Sequence, residues 1–160
     1  MTQATTQPRL DYQQASPHGV QAMLQLERAV RDSGLEPKIL ELIKTRASQM
    51  NGCAYCIDMH TKDARAAGET EQRLYALSAW RETPFFTPRE RAALAWTEAI
   101  TNIQQGHADD AVYEQVRSEF NEADLAKLTL AITQINAWNR IAIAFRSEPG
   151  SYQPAANLTA

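Results

Sequence analysis

The sequence predicts an all-α protein, a single-domain bundle of about seven helices. No segment of its 160 residues shows the sustained alternation of apolar and polar residues that is typical of half-buried strands. Apolar residues recur instead every three or four positions, which is the period of a helix with one buried face. Proline, glycine and small polar residues stand between these segments, where helices begin and end.

The composition favours one globular domain over residues 1–160, with a core at about 16–146 and polar arms that are loose or act as oligomer straps. Hydrophobic residues make up 44% of the chain and charged residues 22%, which is ordinary for a folded domain. The net charge of −3 gives no basic surface for nucleic acid. We expect a cytoplasmic protein without a membrane span, because no cationic start precedes an apolar run and polar residues interrupt the longest apolar tract, 128–145.

Each predicted helix is bounded by residues that favour helix ends. Proline is pre-organised for the first helical position, and glycine fits the turn just past the last one. These signals predict helices from Ser16-Pro17 to Gly34, Pro37 to Met50, about Cys53 to Ala67, Thr70 through Trp80, Thr87 towards Gly106, Asp110 to Phe120, and Asn121 to about Arg146. The clearest start is Thr87-Pro88-Arg89-Glu90, in which threonine caps, proline follows and glutamate occupies the third position.

The apolar positions inside these segments support the helices in order. The first helix has an apolar set of Val20, Met23, Leu24, Leu26 and Val30, and the second one of Ile39, Leu40, Ile43, Ala47 and Met50. The fourth carries Leu74, Leu77 and Trp80, and the fifth Leu94, Trp96 and Ile100.

The last helix is apolar almost all round, which predicts a central position in the bundle or one between subunits. Its main face is Leu125, Leu128, Ile132, Ile135 and Ile143. Asn136 and Asn139 project from that face, where buried amides need hydrogen-bond partners. We expect both to tie the helix to neighbouring backbone, and a role in binding a ligand is the alternative.

The two cysteines of the chain lie three positions apart, and His60 follows four positions after the second. At about 100° per residue, Cys53, Cys56 and His60 fall within about 60° of one another on a helix. Cys53 stands at the helix start, where free N–H groups favour a thiolate, and Cys56 lies one turn before the imidazole. Thiols this close in sequence also form a disulfide readily, so the pair is a candidate redox centre.

Other interpretations of this pair remain open. Cys53, Cys56 and His60 supply three ligands for structural zinc, with Glu41, His18 or His107 as a fourth. The cysteines could also be inert core residues beside a satisfied histidine. A thioredoxin-like fold, which also uses this spacing, needs strands that the sequence does not predict.

These residues resemble the carboxymuconolactone decarboxylase superfamily, in its AhpD-like alkylhydroperoxidase branch. The resemblance covers about residues 16 to 146. It rests on Glu41, on the CxxCxxxH pattern of Cys53, Cys56 and His60, and on the stretch Asn136-Ala137-Trp138-Asn139-Arg140.

The resemblance implies trimers or hexamers that reduce peroxides through a cysteine pair, without metal or flavin. It makes Cys56 the attacking thiol, Cys53 the resolving thiol, and His60 with Glu41 the proton relay. An external dithiol, carried by a lipoyl-bearing or thioredoxin-like protein, would reduce the resulting disulfide. The decarboxylase branch generally lacks the cysteine pair, so its presence favours the redox branch.

One residue departs from that pattern, and another is indicated by the resemblance but not by periodicity. Tyr55 stands where well-studied peroxidase members have a histidine, which removes one imidazole from the relay. Glu41 lies opposite the apolar stripe of its helix, where periodicity predicts a solvated charge.

Two alternative functions remain open. One is a lyase that uses His60 and Glu41 as acid and base, and the other is a non-catalytic oligomeric or zinc-binding stress protein.

Overall fold

The computed structural model describes residues 7–155, and within that range it is helical with no strand. The α-helices are α1 (Tyr12–Ala15), α2 (Pro17–Arg31), α3 (Pro37–Asn51), α4 (Ala54–Ala66), α5 (Glu71–Ala76), α6 (Pro88–Thr101), α7 (Asp110–Arg117) and α8 (Glu122–Phe145). The predicted fold class is confirmed. The predicted fourth helix is divided, because Ala79 has non-helical backbone angles and Leu77–Glu82 forms a 3₁₀ helix after α5.

The predicted start of α6 forms a complete capping box. The Thr87 hydroxyl accepts from the Glu90 amide at 3.2 Å, and the Glu90 carboxylate accepts from the Thr87 amide at 2.8 Å. Two backbone N–H groups without helical partners are satisfied in this way, so local sequence alone fixes this helix start.

A sharp turn joins α3 to α4 and sets the position of the thiols. Gly52 closes α3 with φ +69°, a left-handed conformation that glycine adopts without steric cost. The backbone N–H of Cys53 then donates to the carbonyl of Ser48 at 3.0 Å. The chain therefore reverses within two residues, and Cys53 stands at the start of α4 directly beside the end of α3.

Helix α3 packs against α4, α6 and α8, so more than one of its sides is engaged. The largest apolar cluster joins α3 to α6 and α8 through residues such as Ile43, Trp96 and Ile132. A smaller cluster holds Ala47 of α3, both cysteines, and Ile135 and Ala142 of α8. This second cluster brings α8 against the thiols.

Ile143 does not belong to the buried face of α8 as predicted. It is 46% exposed, whereas Leu125, Leu128, Ile132 and Ile135 are buried. The C-terminal part of the helix keeps Asn139 and Ala142 buried, and Ile143 points away from them because each residue turns the helix by about 100°.

The described parts of both terminal arms contact the helices instead of being loose. The Arg9 amide donates to the Phe145 carbonyl at 3.0 Å, and the Tyr12 ring stacks on Phe145. At the other end, the Gly150 amide donates to Asp58 at 3.0 Å. The rest of the predicted arms, residues 1–6 and 156–160, lies outside the described residues.

Between residues 7 and 155, none of the helices has both the length and the apolar character needed to cross a bilayer.

Candidate active site

The two thiols face each other at the start of α4. Cys53 is the N-cap, and its sulfur accepts from the backbone N–H of Cys56 at 3.4 Å. The two Sγ atoms are 2.8 Å apart and the cysteines are free, so one thiol donates to the other. Cys53 is 1% exposed and Cys56 4%, which leaves the pair shielded from water.

This arrangement favours negative charge on Cys53 in the dithiol form. The hydrogen bond from Cys56 is the main cause that lowers the pKa of Cys53 to about 7, helped by the backbone N–H groups at the helix start and opposed by burial. The same hydrogen bond, together with burial, raises the pKa of Cys56 above that of an ordinary thiol. The pair therefore shares one proton near neutral pH, as predicted for a thiol at a helix N-terminus.

His60 lies one turn after Cys56 and is buried. Its Nδ1 is 2.9 Å from Oε2 of Glu41, which projects from α3. An ionised carboxylate only accepts hydrogen bonds, so Nδ1 carries the proton and Nε2 is left as the basic nitrogen. The imidazole is thus oriented by a carboxylate, as general acid–base groups commonly are.

The periodicity-based expectation that Glu41 is a solvated charge is wrong. Its side chain is 19% exposed and is hydrogen-bonded to His60. Periodicity identified one apolar stripe on α3, but this helix packs against α4 as well as α6 and α8. Its second side therefore also faces protein, and that side carries Glu41.

Asp63 and Tyr152 also belong to this cluster, and sequence reasoning did not single them out. Ligating atoms of Glu41, His60 and Asp63 lie within 4.8 Å of one another, and the Tyr152 hydroxyl donates to Asp63 at 2.7 Å. Burial raises the pKa of Asp63, and the charge of Glu41 adds to that effect. The spacing of three from His60 could have indicated Asp63, whereas Tyr152 comes from 89 residues away.

The zinc interpretation of the cysteine pair finds no support in the described part of the chain. Of its His, Cys, Asp and Glu side chains, the group with metal-ligand spacing is Glu41, His60 and Asp63. Of the residues proposed for zinc, Glu41 and His60 belong to it, whereas neither thiol does, nor do His18 and His107.

Amide side chains connect α8 to α3 and α6. Asn136 donates to the hydroxyl of Thr101 at 3.0 Å, and Asn139 donates to that of Ser48 at 3.0 Å. Asn51 at the end of α3 donates to both asparagines, at 2.9 and 2.8 Å. The expectation that they bind neighbouring backbone is wrong, because their partners on other helices are side chains.

Tyr55 packs on the cluster that holds the cysteines and is half-buried. Burial is the main cause that raises the pKa of its phenol. A neutral phenol against apolar side chains fits a packing role.

Comparison with known sequences shows which family this chain is similar to. The sequence profile of the carboxymuconolactone decarboxylase family matches residues 17–99. The chain is 47% identical over 143 residues to the uncharacterized protein YdfG of Bacillus subtilis (strain 168), over 89% of this chain and 97% of YdfG.

Solved structures agree with that match. A protein of unknown function from Agrobacterium tumefaciens, proposed to be the antioxidant defence protein AhpD, is 44% identical with a TM-score of 0.86, over 93% of this chain and 99% of that one. The debrominase Bmp8 shares the fold with a TM-score of 0.77 at 20% identity, over 86% of this chain and 74% of its own. The chain belongs to the carboxymuconolactone decarboxylase family and has an AhpD-like fold.

Proposed function

We propose that this protein is a peroxide-reducing thiol enzyme whose Cys53–Cys56 pair cycles between dithiol and disulfide. The observation that carries the proposal is the 2.8 Å separation of the two sulfur atoms, one turn before the Glu41–His60 pair. A shift of about 1 Å brings the sulfurs to bonding distance, so the oxidised form needs little rearrangement. The similarity to a protein proposed to act in antioxidant defence agrees with this function.

The reaction proceeds in two steps, oxidation of one thiol and then formation of the disulfide. A thiolate attacks the terminal oxygen of a hydroperoxide, an S–O bond forms as the O–O bond breaks, and the leaving alkoxide takes a proton to give an alcohol. The second thiol then attacks the sulfenic acid, which forms the disulfide and releases water. The two thiols supply both electrons, and the imidazole of His60 carries protons to and from the reacting oxygens.

We assign the attack to Cys56, in agreement with the family resemblance. Cys53 holds the negative charge at rest, but the two sulfurs share one proton across 2.8 Å. Transfer of that proton from Cys56 to Cys53 produces a thiolate on Cys56, one helical turn before His60. Cys53 is then a protonated thiol beside the new sulfenic acid and resolves it.

The cycle closes with an external dithiol, from a lipoyl-bearing or thioredoxin-like protein, which reduces the disulfide by exchange.

We also propose that the protein assembles as a trimer or hexamer. Leu130 and Ile143 on α8 are large apolar side chains about half exposed, a feature that association would bury.

Thiol titration tests the proposed function directly. One equivalent of hydroperoxide is expected to convert the reduced protein from two titratable thiols to none, because one turnover oxidises both. A denaturing titration before and after peroxide measures this, and a non-reducing gel checks that no dimer is cross-linked. Two thiols remaining after peroxide would contradict the proposal.

The Glu41–His60 pair also supports a second candidate, a lyase that uses the two groups as acid and base. Such a reaction needs no thiol. Activity that survives in a Cys53→Ser, Cys56→Ser double variant would favour the lyase over the peroxidase.

A Glu41→Gln variant is expected to slow thiol oxidation by peroxide by about a hundredfold. The amide keeps the shape of Glu41 but loses the charge that holds His60 in its Nδ1–H form and stabilises the imidazolium. Stopped-flow measurement of the oxidation rate gives the effect. Glu36→Gln is the matched control, because Glu36 is an exposed glutamate that pairs with Arg89 and not with His60. Equal rates in the wild type and Glu41→Gln would remove Glu41 from the relay.

A further inference from the structure

The face of α8 that packs on the thiols contains one polar residue. Ile135 and Ala142 lie in the same buried cluster as Cys53 and Cys56. Asn139 stands between them at spacings of four and three, which places it on the same side of the helix. It is 0% exposed, so its amide is committed to protein partners around the sulfur pair.

The orientation of the Asn139 amide follows from a chain of hydrogen bonds whose ends have fixed roles. Asn136 donates to the carbonyl of Ile132, which only accepts, and its Oδ1 accepts from Arg140, which only donates. Oδ1 of Asn136 therefore faces Asn51, and Asn51 must present its NH₂ group. That group also donates to Asn139, so Oδ1 of Asn139 points to Asn51 and its own NH₂ points the other way.

That NH₂ group has two hydrogens. One is donated to the Ser48 hydroxyl at 3.0 Å, whose own proton goes to the carbonyl of Lys44. The carbonyl of Ser48 accepts from the backbone N–H of Cys53. Ser48 therefore positions both Cys53 and the Asn139 amide, and the second hydrogen of that amide is left for a further acceptor.

We propose that Asn139 is a thiolate-stabilising residue, which directs an amide N–H at the Cys53–Cys56 pair and holds its negative charge. The inference rests on the proposed function and deepens it. A buried anion needs donors to replace water, and a neutral amide supplies one without a competing charge. The side chain of Asn139 contributes to lowering the pKa of both thiols, in agreement with this role.

A donor that serves both sulfurs has a mechanistic consequence. Charge must pass from Cys53 to Cys56 before the attack proposed above, and a donor bound to only one sulfur would oppose that transfer. An amide placed between the two stabilises the charge at either position. Asn139 is therefore expected to assist proton transfer within the pair.

Alkylation of the reduced protein by iodoacetamide across pH 5 to 10 tests the proposal. The wild type is expected to react with a midpoint near pH 7. In Asn139→Ala the midpoint is expected to rise by about one unit, so alkylation at pH 7 slows about fivefold, as the thiolate fraction falls from about one half to about one tenth. In Asn139→Asp it is expected to rise further, because a carboxylate repels the thiolate. Mass spectrometry identifies the modified cysteine.

Asn136→Ala and Asn136→Asp are the matched controls. Asn136 binds Asn51 as Asn139 does but lies on the side of Thr101. The controls are expected to change the rate at pH 7 by less than twofold. An unchanged midpoint in the Asn139 variants, or an equal rise in the controls, would overturn the proposal.

Circular dichroism checks that the variants fold. Asn139→Asp is isosteric and can still accept from Asn51, so it keeps the test decisive if Asn139→Ala does not fold. Alkylation needs no peroxide, so its outcome is independent of the proposed function.

Discussion

Cys56→Ser is expected to reduce peroxide turnover by more than about a hundredfold, whereas Cys53→Ser is expected to react once and stop. Without the sulfur of Cys56 there is no attacking thiolate. Without Cys53 the first oxidation still occurs, but no second thiol stands 2.8 Å away to resolve the sulfenic acid. Dimedone labelling followed by mass spectrometry detects the stalled Cys56 sulfenic acid in Cys53→Ser.

The two variants also separate the roles of the sulfurs. Dimedone-labelled Cys53 in the Cys56→Ser protein, together with an unlabelled Cys53→Ser protein, would show that Cys53 attacks. The double variant provides the background for both measurements. Replacement of Cys56 by alanine, which cannot donate, should also raise the pKa of Cys53, because the hydrogen bond from Cys56 is the main cause of its lowering to about 7. Alkylation of Cys53 at pH 7 is therefore expected to be slower in Cys56→Ala than in the wild type.

Local signals explain why much of the fold and half of the site are predictable from sequence. The capping box at Thr87 and the left-handed Gly52 are decided by neighbours within four residues. The cysteine pair is equally local, because a helix start at Cys53 places Cys56 one turn on and His60 one turn further. Local geometry of this kind is fixed by residue type and spacing.

The other half of the site depends on contacts between helices. Glu41 meets His60 because α3 packs on α4, and no periodicity within α3 reports that packing. Tyr152 reaches Asp63 through the docking of the C-terminal segment along α4. Asn139 lies on the face of α8 that packs on the thiols, because α8 contacts both α3 and α4. The family resemblance supplied Glu41, since it carries tertiary information that the pattern of one chain lacks.

The end of the site helix depends on a buried ion-pair network that the sequence did not reveal. Arg73 of α5 donates to Glu69 at 2.9 Å and to Glu90 of α6 at 2.6 Å. It also donates to the Phe85 carbonyl and lies over the Phe86 ring. Glu69, which follows α4, and Glu90 are both buried. One arginine therefore pairs with two buried carboxylates and fastens α4 and α5 to α6.

Arg73→Met is expected to lower the free energy of unfolding by about 3 to 5 kcal/mol, since it leaves two buried carboxylates without their cation. The melting temperature should fall by about 10 °C. Arg81→Met is the matched control, with an expected loss within about 1 kcal/mol. Arg81 is exposed, and its partner Glu98 keeps hydrogen bonds from Arg46 and Trp80. Equal losses in the two variants would show that burial of this network does not matter.

The pH dependence of that loss provides a second measurement. Burial alone would raise the pKa of Glu90, but the hydrogen bonds from Arg73 and Thr87 outweigh it and the pKa is lowered. A carboxyl whose folded pKa is lowered stabilises the protein above its ordinary value near 4.5, and the contribution is lost as the pH falls through the folded pKa. In Arg73→Met the unpaired carboxylates are instead relieved by protonation. The difference in melting temperature between wild type and variant should therefore be largest at pH 7 and shrink below about pH 4.5, whereas a difference constant across that range would indicate that Arg73 acts through packing alone.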